Sequence, residues 1–147
     1  MEKACTFIGH KDCCENIYDD LYIAIEKLIV EDDVLTFYVG THGSFDKLVY
    51  RVLIQLEKKY KIKVIVVLAY MNIRKENIYY DIKKTIFPDV LETTPLRFAI
   101  NKRNDFMIKN SQYMICYVNN TFSNSYKYII TALKKNLKII NLGNQNL

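Results

Sequence analysis

The sequence predicts an α/β domain, a Rossmann-like three-layer sandwich around a mainly parallel sheet. Three observations predict it. Short β-branched apolar runs alternate with longer stretches of helical apolar spacing along the chain. The run Val64-Ile65-Val66-Val67-Leu68-Ala69 is apolar on both faces, as strands inside a parallel sheet are. Glycines or small polar residues follow three of the strands, at the end of the sheet where such folds bind ligands.

The elements follow in order. Residues 4–9 form an apolar run that ends in Gly9 and reads as a buried strand. Cys14, Ile17, Leu21, Ala24, Ile25 and Leu28 recur at helical spacing and predict a helix over about 14–31. Asp32-Asp33 breaks it, and residues 34–39 make a second strand before Gly40. A second helix opens at Gly43-Ser44, with Ser44 as N-cap and Phe45, Leu48, Val49, Val52, Leu53 and Leu56 on its inner face. Residues 63–69 are the central third strand. The aromatic-rich stretch 70–95 holds both prolines and predicts a short strand at Asp89-Val90-Leu91. A helix over 96–109, a strand over 113–118, a helix over 125–136 and a strand over 138–142 complete the chain. No repeat, low-complexity run or linker interrupts it, so residues 1–147 are expected to form one domain.

Composition narrows the function classes. Half of the residues are hydrophobic, which excludes a disordered tail. The longest apolar runs are too short to cross a bilayer, and the N-terminus lacks the pattern of a secretory signal. A soluble cytoplasmic protein with no membrane partner is expected. Of the four cysteines, Cys5 and Cys116 fall inside apolar strands and Cys13-Cys14 are adjacent. That arrangement suits reduced, structural thiols better than disulfides or a zinc site.

The net charge of +5 is unevenly spread. Residues 12–33 carry eight acidic side chains against Lys27 alone, whereas from Thr93 onward Asp105 is the one acid among eight Lys or Arg. This asymmetry fits solvated helix faces, an anionic ligand near the C-terminal half, or an acidic surface facing a basic one in a homodimer or higher homo-oligomer. A basic stripe interleaved with exposed aromatics is missing, so nucleic acid is not an expected partner.

Three strand exits and one helix carry the candidate chemistry. At the first exit, Gly9 lets the backbone turn closely past a ligand, and His10 and Lys11 can donate to phosphate or ribose oxygens. At the second, Gly40-Thr41-His42-Gly43-Ser44 reads as a short phosphate-cradling loop running into a helix at Phe45-Asp46. It is neither a P-loop nor a dinucleotide fingerprint. At the third, Asn119, Thr121, Ser123, Asn124 and Ser125 offer hydrogen bonds to sugar and phosphate, although a helix cap is the ordinary use of one of the two serines. On the helix after Pro95, Arg97, Asn101 and Asn104 line one stripe. Arg103 shares a stripe with Leu96, Ile100 and Met107. There it either pairs with an acid inside the fold or reaches a ligand phosphate at the pocket floor. No catalytic set, metal site or cofactor is expected, Cys13 near His10 being the one hint of a nucleophile pair.

With those residues in view, the chain resembles the SLOG superfamily of Lonely Guy and DprA-type Rossmann-like domains, in a small bacterial or phage branch. The resemblance rests on Cys5-Thr6-Phe7-Ile8-Gly9-His10, the 40–46 loop, the stretch 97–107 with Arg103, Asn104 and Met107, and the strand, polar loop, helix and strand of 111–142. It implies a Rossmann-like fold, often dimeric, that binds nucleotides or their derivatives. Some members hydrolyse nucleoside monophosphates; others sense or sequester ligands such as ADP-ribose-derived signals in antiviral defence. Enzymatic members carry Gly-Gly-x-Gly-Thr-x-x-Glu at the last polar loop. Here residues 119–127 hold no glycine and no acid, and Thr121 is the one remnant. Without the Glu the general acid/base is gone, so binding of a phosphate-bearing nucleotide-derived molecule is expected over phosphoribohydrolysis.

Overall fold

The computed structural model describes residues 2–10, 12, 13 and 15–147, and of Glu15 the backbone alone. Lys11, one of the expected ligand donors, and Cys14 lie outside the described residues. Among the described residues six strands form one all-parallel sheet: β1 (Lys3–Gly9), β2 (Val34–Val39), β3 (Lys63–Val67), β4 (Thr85–Ile86), β5 (Tyr113–Tyr117) and β6 (Lys138–Asn141). Their order is β4-β3-β2-β1-β5-β6. The chain therefore winds outward from β1 in one direction to β4, then crosses back to β5 and winds the other way.

Among the described residues four α-helices cover the sheet: α1 (Tyr18–Asp32), α2 (Ser44–Glu57), α3 (Ala99–Lys109) and α4 (Tyr126–Lys134). Right-handed crossovers place helices of oppositely wound halves on opposite faces, so α1 packs with α2 and α3 with α4. β1 is accordingly buried on both sides. Cys5 and Phe7 join Leu21, Ile25, Phe45 and Val49 on one face, while Ile8 joins Met107, Ile108 and Ala132 on the other. Each such side chain removed from water contributes roughly 1.5–3 kcal/mol before entropy is counted.

Several predicted boundaries shift for local reasons. The first helix is preceded by a 3-10 turn (Glu15–Ile17) and ends where Asp33 turns left-handed (φ 55°) and donates its N–H to the Leu28 carbonyl. Ser44 is not the N-cap of α2. Gly43 holds that position at φ 92°, a backbone region costly for any side chain, and Ser44 Oγ instead donates to the Cys13 carbonyl at 2.9 Å. No strand forms at Asp89-Val90-Leu91, where the chain makes a 3-10 turn (Asp89–Glu92) after Pro88. The edge strand is Thr85–Ile86, paired with Val66 and Val67. Pro88 has no N–H for a ladder, which ends the strand just before it. A 3-10 turn (Leu96–Phe98) likewise precedes α3. Among the described residues no helix is long and apolar enough to cross a membrane. Cys5, Cys13 and Cys116 are buried, and burial pushes the Cys116 thiol up to about 12 and that of Cys5 further still.

Candidate functional site

The winding reverses between β1 and β5, so the loops leaving these two strands diverge to opposite faces and open a crevice at their C-terminal ends. Gly9 closes β1 there. A Cβ on Gly9 would lie 2.4 Å from the buried Phe45 ring, so this glycine lets α2 pack against the strand end. His10 follows, its N–H bonded to the Tyr117 carbonyl at 3.3 Å. Its Nε2 accepts from the Asn119 N–H at 3.0 Å. A neutral His10 ring therefore carries its proton on Nδ1.

The floor of the crevice is a buried charged pair. Arg103 projects from α3 under the ends of β2 and β3 and is 2% exposed. Its Nε donates to Asn104 Oδ1 at 2.8 Å and its Nη1 to the Val67 carbonyl at 3.1 Å, while Nη2 lies 3.4 Å from His42 Nδ1. Asp46, in the first turn of α2, accepts the His42 N–H at 2.9 Å and is also buried. Both groups press on Gly40: a Cβ there would meet Arg103 Cζ and Nη1 at 2.8 Å and Asp46 Oδ2 at 2.9 Å. Burial raises the Asp46 carboxyl to about 6, against the pull of Arg103 and of the His42 N–H. Burial likewise draws the Arg103 guanidinium below its ordinary value, with Asp46 opposing. Arginine stays protonated across the physiological range, so above pH 6 the pair is internally neutral.

The rim is cationic and exposed. Arg97 lies over the Phe98 ring at 4.8 Å from its centre. Lys127 donates to Asn101 Oδ1 at 3.1 Å and covers the Tyr128 ring, whose hydroxyl donates to the same Asn101 oxygen. Asn101 thus ties α3 to α4 across the crevice. Ser125 Oγ donates to the Gly9 carbonyl at 3.2 Å, joining the β5–α4 loop to the end of β1. Together these groups enclose a cavity of about 520 Å³, within the usual range for a small-molecule site.

No family model matches the sequence, and no curated protein matches it. Among solved structures, the chain is similar to DNA processing protein A (DprA) from Streptococcus pneumoniae, with a TM-score of 0.56 and 11% sequence identity. The match covers 95% of this chain and 58% of that one. The fold is DprA-like. This is the fold level of the superfamily resemblance read from the residues, and at such low identity the likeness concerns the fold alone.

Within this DprA-like frame, Gly9, His10 and His42 line the cavity from the β1 and β2 exits, and Arg97, Asn101, Arg103 and Asn104 from the α3 segment. Asn124 and Ser125 line it from the third loop. The other expected residues stand elsewhere. Gly40 is buried behind the Arg103–Asp46 pair, Gly43 caps α2, and Ser44 is bonded to the chain near Cys13. The two glycines of the expected cradle are therefore explained by side-chain crowding at one and a left-handed turn at the other. Thr41 faces a neighbouring cavity. Asn119 and Thr121 are exposed outside the pocket, and Ser123 Oγ donates to the Asn120 carbonyl within its own loop. Ser125 is the N-cap of α4 but makes no side-chain capping bond. Sequence reasoning missed Asp46, Lys127 and Tyr128 as lining groups. In the sequence Asp46 stands only as the end of the 40–46 loop, and nothing local marks its approach to Arg103.

Proposed function

We propose that the cavity binds the phosphate-bearing part of a nucleotide-derived small molecule, so that the protein senses or sequesters that ligand. The carrying observation is Arg103. A guanidinium held at the floor of a switch-point cavity by hydrogen bonds to the Val67 carbonyl and the Asn104 amide oxygen is pre-oriented, and Arg97 and Lys127 add positive charge at the mouth. The superfamily resemblance extends this to an ADP-ribose-like signal. Thermal shift with AMP, ADP, ADP-ribose and cyclic nucleotides tests the reading: a stabilising ligand whose effect is lost in Arg97→Ala supports it. No shift across the set would sink it.

One observation favours a second reading, phosphoribohydrolysis of a nucleoside monophosphate. The Asp46 carboxyl, titrating at about 6 in the cavity wall, is poised in the range of a general acid/base, although the last polar loop lacks the acid of enzymatic relatives. Incubation with AMP and chromatography for free adenine decides between the readings. Base released by the wild type but not by Asp46→Asn would favour the enzyme.

A further inference from the structure

We propose that the ligand has two nucleoside ends joined by phosphates, with the second end seated in a cavity over the exits of β2 and β3. This rests on the reading that the first cavity holds nucleotide phosphate. The second cavity measures about 340 Å³ and shares His42 with the first. The saddle between them is built. The His42 and Tyr70 rings meet edge to face at 5.7 Å, and the Tyr70 hydroxyl donates to the Leu96 carbonyl, just before Arg97 of the first cavity.

The lining matches the chemistry of a nucleoside phosphate. His42, Tyr70, Tyr79 and Tyr80 supply aromatic faces and edges for a base, and Asn72 and Asn77 each offer a donor and an acceptor for a base edge or a ribose. Lys47 and Arg74 bring positive charge, and no carboxylate lines this cavity among the described residues. A cation-bearing, acid-free aromatic cavity beside a second cationic one favours one polyanion bridging both. At 520 Å³ the first cavity already has the volume of a small-ligand site, so a mononucleotide leaves the second empty.

Calorimetric titration of the full chain with AMP and with diadenosine pyrophosphate, and with the two guanosine counterparts, tests the proposal. The expected result is at least tenfold tighter binding of one dinucleotide than of its mononucleotide. Arg74→Ala, at an exposed position, should cut dinucleotide affinity about fivefold or more and leave the mononucleotide unchanged. Tyr70→Ala should weaken the dinucleotide more than the mononucleotide, and Arg97→Ala should weaken both ligands. Equal affinity for mono- and dinucleotide, or a dinucleotide indifferent to Arg74→Ala and Tyr70→Ala, overturns the proposal while the first cavity's reading stands. Failure of all four probes to bind overturns the proposal, and the first cavity's reading falls with it only if ADP-ribose and the cyclic nucleotides also give no thermal shift.

Discussion

The guanidinium of Arg103 lies against the α-carbon of Gly40, so closely that a methyl group there would stand 2.8 Å from Arg103 Cζ. Asp46 Oδ2 would be 2.9 Å from the same methyl. Both neighbours are buried side chains held by hydrogen bonds to the chain around them, so neither can swing away freely. Gly40→Ala is therefore expected to destabilise the protein by about 1–3 kcal/mol, the usual cost of overpacking. Urea denaturation checks the stability, and loss of ligand-induced thermal shift in the variant checks that Arg103 has been displaced.

Removing Arg103 should cost more than crowding it. Arg103→Met strips the buried Asp46 carboxylate of its counter-charge, for which about 3–5 kcal/mol is the usual penalty. Adding Asp46→Asn should restore much of that stability, because the uncompensated charge goes with it. Chemical denaturation of the two single variants and the double variant at pH 7.5 forms the cycle. Additive losses would contradict a coupled pair.

Asp46 also sets a pH dependence. Its carboxyl titrates at about 6 in the folded protein and near 3.8 when unperturbed, so the folded state binds its proton more tightly. That contribution is fully present below pH 4 and lost as pH rises through about 6, amounting to roughly 2–3 kcal/mol. The stability difference between wild type and Asp46→Asn should thus shift against the wild type between pH 4 and pH 7. Below pH 6 the neutral Asp46 leaves Arg103 with net positive charge, so a phosphodiester ligand should bind more tightly there. Asp46→Asn should flatten that profile in calorimetric titrations.

Tyr79 offers a test of the aromatic wall. Its ring meets those of Tyr50 at 5.8 Å and Tyr80 at 5.2 Å, but its buried hydroxyl has no hydrogen-bond partner among the described residues. Tyr79→Phe keeps the ring contacts and removes a desolvated polar atom. The melting temperature is expected to match or exceed that of the wild type, by up to about 1 kcal/mol of stability. A clear drop would reveal a bond made through that hydroxyl.

The alternation of elements was legible in the sequence because apolar periodicity is written residue by residue. The inner face of α2, from Phe45 to Leu56, needs only its own spacing to be recognised. The misread positions depend on partners or on backbone. Asp89-Val90-Leu91 has strand composition, but the turn after Pro88 directs it into a 3-10 turn. Ser44 has the chemistry of an N-cap, but the left-handed turn at Gly43 decides the start of the helix. For Arg103 the sequence left two uses open, pairing with a buried acid or reaching a ligand phosphate; the structure sets it near the buried Asp46 and in the cavity lining.

Sequence alone determined the fold class, the elements on which the candidate residues ride and the strand exits where a ligand would be sought. Tertiary structure decided which of those exits converge. β1 sits between β2 and β5, so Gly9, His42 and Ser125 reach one cavity, while Asn119 and Thr121 from the same polar loop as Ser125 do not. It also brought Asp46 and Arg103 together over Gly40. The physical reason is that helical and strand periodicity are local properties of the chain. Burial of a charge against its partner depends instead on distances that exist only once the crossovers have stacked helices on both faces of the sheet.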